Sequence, residues 1–177
     1  MKNTNQESQL TSEQVVHFYQ LWFGVLQFAN EEQKLVPSML GKNFSDGVDT
    51  GDAGKIAWYL WKHPQVFNNY IKKYDLSNEE ATIIKAWRDN HFKGKFYIVR
   101  YLKNGAVFLS AGKEEKPYLI KGLASDFEEM WPRQVLPFLV ETVLLPFEGV
   151  ITTCGLYYSS NIMFGRGITR DIRESCQ

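Results

Sequence analysis

The chain has 177 residues, 44% of them hydrophobic and 23% charged, and its 20 Lys and Arg balance 20 Asp and Glu. That length fits one domain, or a compact domain with a helical lobe, and the composition excludes a disordered chain. A net charge of zero argues against a polyanion as the main partner, and two cysteines, Cys154 and Cys176, are too few for a disulfide framework and read as free thiols in a reducing cytosol.

The amino terminus is polar and has no basic segment followed by an apolar core, so it does not read as a signal peptide. Residues 1–10 are expected to be disordered, 11–90 to form a helical lobe, and 91–177 to form a β-rich lobe with a closing helix. The early apolar segment from Val15 to Ala29 falls short of the ~20 residues that span a bilayer, and His17, Gln20 and Gln27 interrupt it. The expectation is a cytoplasmic protein without a membrane partner.

Ser12 reads as the cap of a first helix running to about Asn30. Its polar or small positions, His17, Gln20, Gly24, Gln27, Glu31 and Lys34, recur at spacings of three and four and draw one narrow wet stripe on an apolar cylinder. Such a helix should be nearly surrounded by protein or form the seam of a homodimer. The loop 43–52 carries Asp46, Asp49 and Asp52, but an EF-hand glutamate at the twelfth position is missing, since Ala57 stands there. Turn formation at Asp46-Gly47 and helix capping by Asp52 explain the acids without a metal.

A second helix is expected over Ala53–Lys62, ended by His63-Pro64, and a third from Pro64 with Val66, Phe67, Tyr70 and Ile71 on its apolar face. Ser77-Asn78-Glu79-Glu80 is a capping box with Leu76 before it, opening a fourth helix that stops near Asn90. From His91 the period shifts to strands: Lys95–Lys103, Ala106–Ala111 and Pro117–Lys121. Asn104-Gly105 reads as a two-residue hairpin turn. Ser125 to Trp131 reads as a short helical turn closed by Pro132. The longest run of strand formers, 138–156, is broken once by Glu148-Gly149 and should fold into a hairpin there. A short strand at 161–164 and a last helix at 168–176 complete the expectation. The fold class is α+β: a helical lobe of about four helices, then a curved antiparallel sheet or small barrel of five to six strands and a C-terminal helix.

Several phrases look like one uncharacterised bacterial protein family. They are Ile83-Ile84-Lys85-Ala86-Trp87 after the capping box, the run Gly94–Lys103, Lys121-Gly122-Leu123, Phe127-Glu128-Glu129-Met130, Leu136-Pro137 through Pro146-Phe147 and Gly149, and 161–167. The resemblance covers about residues 60–175 and implies a shared fold in a bacterial cytoplasmic protein. That family carries no assigned activity, so it implies no catalytic residue.

No nucleophile elbow, P-loop or dinucleotide fingerprint is present, and His17, His63 and His91 have no partner at metal-ligand spacing. No catalytic residue, metal or cofactor is therefore expected. Gly165-Arg166-Gly167 could offer amides to an anion, although a turn explains it as well. Between His91 and Lys121 seven basic residues oppose Glu114 and Glu115, with aromatics interleaved, a pattern that single-stranded nucleic acid binders use. Aromatics on both strand parities instead suit a core. The speculative binding residues are Lys95, Tyr97, Arg100, Lys103 and Glu141. Arg100 and Glu141 are lone charges in apolar strands, which predicts that they pair or share a polar pocket. The leading expectation is a non-enzymatic binding or regulatory domain for an unknown protein partner. The alternatives are a nucleic-acid module using 91–121, or an enzyme with a dispersed site around Glu141, Arg100 and His91.

Overall fold

A computed structural model describes residues 7–159, so the expected strand at 161–164, the last helix and the Gly165-Arg166-Gly167 turn lie outside the described residues. Helices come first and strands follow, in two compact units. The helical unit, residues 13–91, contains α1 (Ser12–Gln33), α2 (Thr50–Lys62), α3 (Gln65–Lys73) and α4 (Asn78–Asn90). The β unit contains β1 (Phe92–Leu102), β2 (Gly105–Ser110), β3 (Pro117–Ile120), a single-turn helix α5 (Phe127–Met130), β4 (Phe138–Phe147), β5 (Val150–Thr153) and β6 (Tyr158–Ser159).

Local chemistry sets the helix boundaries. At α4 the Ser77 hydroxyl accepts from the Glu80 amide at 3.1 Å while Glu80 accepts from the Ser77 amide at 3.2 Å, which closes the expected capping box. At α2 the cap is Asp49, not Asp52. Its carboxylate accepts from the Gly51 and Asp52 amides at 2.8 and 3.3 Å, so the helix begins three residues earlier than expected. The helices pack through aromatic groups: Trp22 stacks on Trp61 at 5.6 Å and meets Trp87 edge-on at 6.0 Å, and Phe18 lies 5.2 Å from Trp87. Asn30, fully buried near the end of α1, acts as a polar staple. Its carbonyl accepts from the Val36 amide at 2.7 Å and its amide donates to the Val36 carbonyl at 3.1 Å, so the chain turns out of the helix with both backbone groups satisfied.

The sheet is antiparallel with the order β3-β2-β1-β4-β5, and β6 pairs with β4. It curls into a half-barrel: just past β3 the Lys121 amide donates to the Ile151 carbonyl of β5 at 2.9 Å, and Thr152 donates to the Lys121 carbonyl at 2.8 Å. The concave side gathers Phe96, Ile98, Tyr101, Phe108, Ile120, Val140 and Leu144 around Phe127 of α5. Against the expected disorder through residue 10, Gln9 forms a parallel bridge with Gly122 and Leu10 is buried in the β unit.

Two turns show how far residue identity fixes geometry. Glu148 and Gly149 both have positive φ, 48° and 82°, and join β4 to β5 with the expected two-residue turn. In the first hairpin, however, Leu102 pairs with Gly105, so the loop is Lys103-Asn104. Gly105 follows it with a φ of 151°, and a Cβ there would sit 2.7 Å from the Ile120 carbonyl oxygen. The glycine is required by β3 next door as well as by the turn.

Tyr101 fastens α5 to the sheet. Its hydroxyl donates within reach of the Trp131 carbonyl at 2.5 Å and the Phe127 carbonyl at 3.3 Å. Burial pushes its ionisation up, Glu128 and Asp126 reinforce this, and Arg133 opposes it. Because the folded value lies above the unfolded one near 10, the associated stability is complete below about pH 10 and is lost as pH rises beyond it. Tyr101→Phe is expected to cost about 1–2 kcal/mol at neutral pH by removing the hydroxyl bonds. It should also flatten part of the decline in stability at alkaline pH. Denaturant titrations of both proteins across that range check the sign, and parallel alkaline curves would contradict it.

Candidate docking surface

The charged residues singled out in the sequence do not form one site. Lys95 stands directly opposite Glu141 in the β1–β4 register, and Tyr158 of β6 stands opposite Glu141 on its other side. Cross-strand partners share a face, so Lys95, Glu141 and Tyr158 make a short polar row, with Tyr97 two residues along from Lys95. Tyr158 is exposed, and its hydroxyl is pushed up by burial first, then by Cys154 and Glu141.

Arg100 is not the neighbour of Glu141. It pairs with Val107 of β2, beyond a register shift between Ile98 and Arg100. That bulge puts Val99 and Arg100 on one side, returns Tyr101 to the core and leaves Arg100 exposed. Five residues of strand separate Arg100 from Lys95, roughly 16 Å, so Arg100 and Glu141 share neither a contact nor a pocket. Lys103 lies in the hairpin loop at the Arg100 end.

The basic segment is similarly divided. Lys93 and Lys95 sit at the start of β1, near the loop with Lys113 and Lys116, while Arg100 and Lys103 sit at its far end. Phe96 and Phe108 are fully buried in the concave core and Tyr101 nearly so, which leaves their ring faces packed against protein. His91 caps α4: its Nδ1 lies 2.8 Å from the Trp87 carbonyl and 3.2 Å from that of Arg88, so Nδ1 carries the proton, and its ring packs on Trp61.

A concavity of the helical unit runs along α1. One side of this helix, Phe18, Leu21, Trp22, Val25, Leu26, Phe28 and Ala29, is buried. The opposite side is not enclosed, so of the two expectations for α1 the one of a helix nearly surrounded by its own chain does not hold. Val16 is 68% exposed there, Gln20 is exposed, and Val15, Tyr19 and Phe23 are only half-buried. These residues, with Gly24, Gln27, Asn43 and Ser45, line a groove of about 660 Å³.

The groove has a simple construction. Residues 15, 19, 23 and 27 form one ridge at four-residue spacing and 16, 20 and 24 form the next, running about 18 Å along the helix. Its far wall is Asn43 and Ser45, at the 3-10 turn Phe44–Asp46. Phe44 is fully buried as an anchor, its amide donates to Gln27 Oε1 at 3.2 Å, and Asn43 Oδ1 accepts from the Ser45 amide at 3.0 Å. Gly24 marks the approach of α3: a Cβ at this position would lie 2.4 Å from the Tyr70 hydroxyl. No lining residue carries a charge, and the polar side chains are the amides of Gln20, Gln27 and Asn43 and the hydroxyls of Tyr19 and Ser45. Reading the stripe His17, Gln20, Gly24, Gln27 as solvated missed this, because Gln20, Gly24 and Gln27 line the groove and His17 meets Glu80 of α4 at 3.8 Å.

Among the described residues no helix is long and apolar enough to cross a membrane, and no three His, Cys, Asp or Glu side chains gather as a metal site. Cys154 is a buried free thiol that burial pushes up, which disfavours its nucleophilic form. No protein-family profile, curated protein or solved structure matches this chain.

Proposed function

We propose that this chain is a non-enzymatic, cytoplasmic binding domain of bacterial type, and that the open groove of α1 receives an apolar helix of a protein partner. One observation carries this reading: a 22-residue helix presents a groove of about 660 Å³ with wholly uncharged walls and a valine that is 68% exposed at its rim. An apolar groove with a few amides is the surface on which an amphipathic helix docks, its apolar face inward. Val16 gains nothing for the isolated fold while it faces water, and gains burial when a partner covers it. The reading is non-enzymatic because no carboxylate, imidazole, amine or thiol lines the groove beside its two hydroxyls.

A neutral apolar fluorophore serves as a surrogate partner. It is expected to bind wild-type protein saturably, and Val16→Arg is expected to weaken this at least about tenfold, since a charge at the rim must be desolvated by whatever covers it. The melting temperature should be unchanged. Absence of saturable binding, or equal binding by Val16→Arg, would remove the groove as the docking surface.

A further inference from the structure

We infer that residues 7–10 are a latch: they undock from the β unit as one piece, without unfolding it, and so release one of the two connections that hold the helical unit. In sequence the helical unit is an insertion. The described part of the β unit comprises residues 7–12 and 92–159, and residues 13–91 lie between them. Two covalent connections therefore join the units, one after Ser12 and one after His91. The second runs through His91 straight from α4 into β1, where Phe96, Tyr97 and Ile98 are paired on both sides, with β2 and with β4. The first meets the sheet, among the described residues, in one isolated parallel bridge between Gln9 and Gly122.

That anchorage is small, and its parts act together. The Gly122 amide donates to the Ser8 carbonyl at 3.0 Å and the Leu10 amide donates to the Gly122 carbonyl at 2.8 Å, which are the two bonds of one bridge. Ser8 Oγ donates to Asp126 at 3.1 Å, Lys121 Nζ donates to the Glu7 carbonyl, and Leu10, 2% exposed, is the apolar anchor. Against these stands the conformational freedom of four residues, a cost of the same order as the gain from one buried leucine and a few hydrogen bonds. The receiving stretch does not depend on the latch. Its Lys121 amide donates to the Ile151 carbonyl at 2.9 Å and its Lys121 carbonyl accepts from Thr152 at 2.8 Å, so it stays on the sheet when residues 7–10 leave. Only Thr11, which is exposed, stands between Leu10 and the first residue of α1, so the latch pulls directly on that helix.

The test is native-state hydrogen exchange of the full chain, read by NMR. The Leu10 and Gly122 amides close the bridge, so they should share one protection factor, at least about 100-fold below that of the β1–β4 ladder. Ser8→Ala should lower the protection of both amides about fivefold and Leu10→Ala at least about tenfold, with the β1–β4 ladder unchanged. In Leu10→Ala, nitrogen-15 relaxation should also show a wider difference between the rotational correlation times of the two units than in wild type. Exchange of Leu10 and Gly122 as slow as that of the ladder, or a ladder that weakens with them in either variant, would make residues 7–10 part of the β core and overturn the latch. Protection at Gly122 that Leu10→Ala leaves intact would overturn it too. Lost protection at Gly122 with unchanged relaxation of the helical unit would overturn the hold of the latch on that unit.

Discussion

Asn30→Asp is expected to destabilise the helical unit by about 3–5 kcal/mol at neutral pH, a large share of the stability of a small domain. The side chain is fully buried, and the wild-type amide meets the Val36 backbone with a donor for its carbonyl and an acceptor for its N–H. A carboxylate keeps the acceptor but points its second oxygen at the Val36 carbonyl, so an unpaired charge is buried beside another lone pair. The neutral acid restores a donor at that point. Its folded pKa therefore lies above the unfolded value near 3.9, and the deficit is present at neutral pH and shrinks as pH falls through the folded value. Urea unfolding of the variant should show stability rising on mild acidification relative to wild type. A pH-independent deficit would mean that the staple is not read through its proton donor.

Phe127→Ala is the corresponding test of the β unit, with an expected loss of about 3–5 kcal/mol. Phe127 is 1% exposed, and its ring lies 5.2 Å from Phe108, 6.2 Å from Trp131 and 6.1 Å from Tyr157. It is the main side chain that α5 inserts into the concave face, so truncation leaves a cavity bounded by a curled sheet that cannot collapse freely. Phe127→Leu keeps most of the volume and should cost less than about 1.5 kcal/mol. Calorimetry or denaturant unfolding separates the two. Equal losses from both would show that ring packing, not volume, holds α5 in place.

What the sequence disclosed follows the range of the interactions concerned. The capping box at Ser77 and the turn at Glu148-Gly149 are decided by residues at most three apart, and both were legible. The order of helices before a curled antiparallel sheet was legible for the same reason, since each element announces its own period. The first hairpin was off by one residue because Gly105 answers to the backbone of β3, which local turn preferences do not contain. Arg100 and Glu141 looked alike as lone charges in apolar strands. Only the β1–β4 register and the bulge at Val99 decide that Lys95, not Arg100, faces Glu141. The open groove was hidden in the same way. Apolar composition around all but one narrow stripe predicts that α1 is nearly surrounded by protein or forms a dimer seam, and composition does not say which side its own chain leaves uncovered.

The groove of α1 as the docking surface is tested most directly by backbone amide NMR of the full chain across a titration with the neutral apolar fluorophore. Occupation of the groove predicts shifts that saturate together and fall on residues 15–27 and 43–45, with the β unit unchanged. Shifts confined to the row of Lys95, Glu141 and Tyr158, or spread evenly with no set that saturates at residues 15–27, would contradict it.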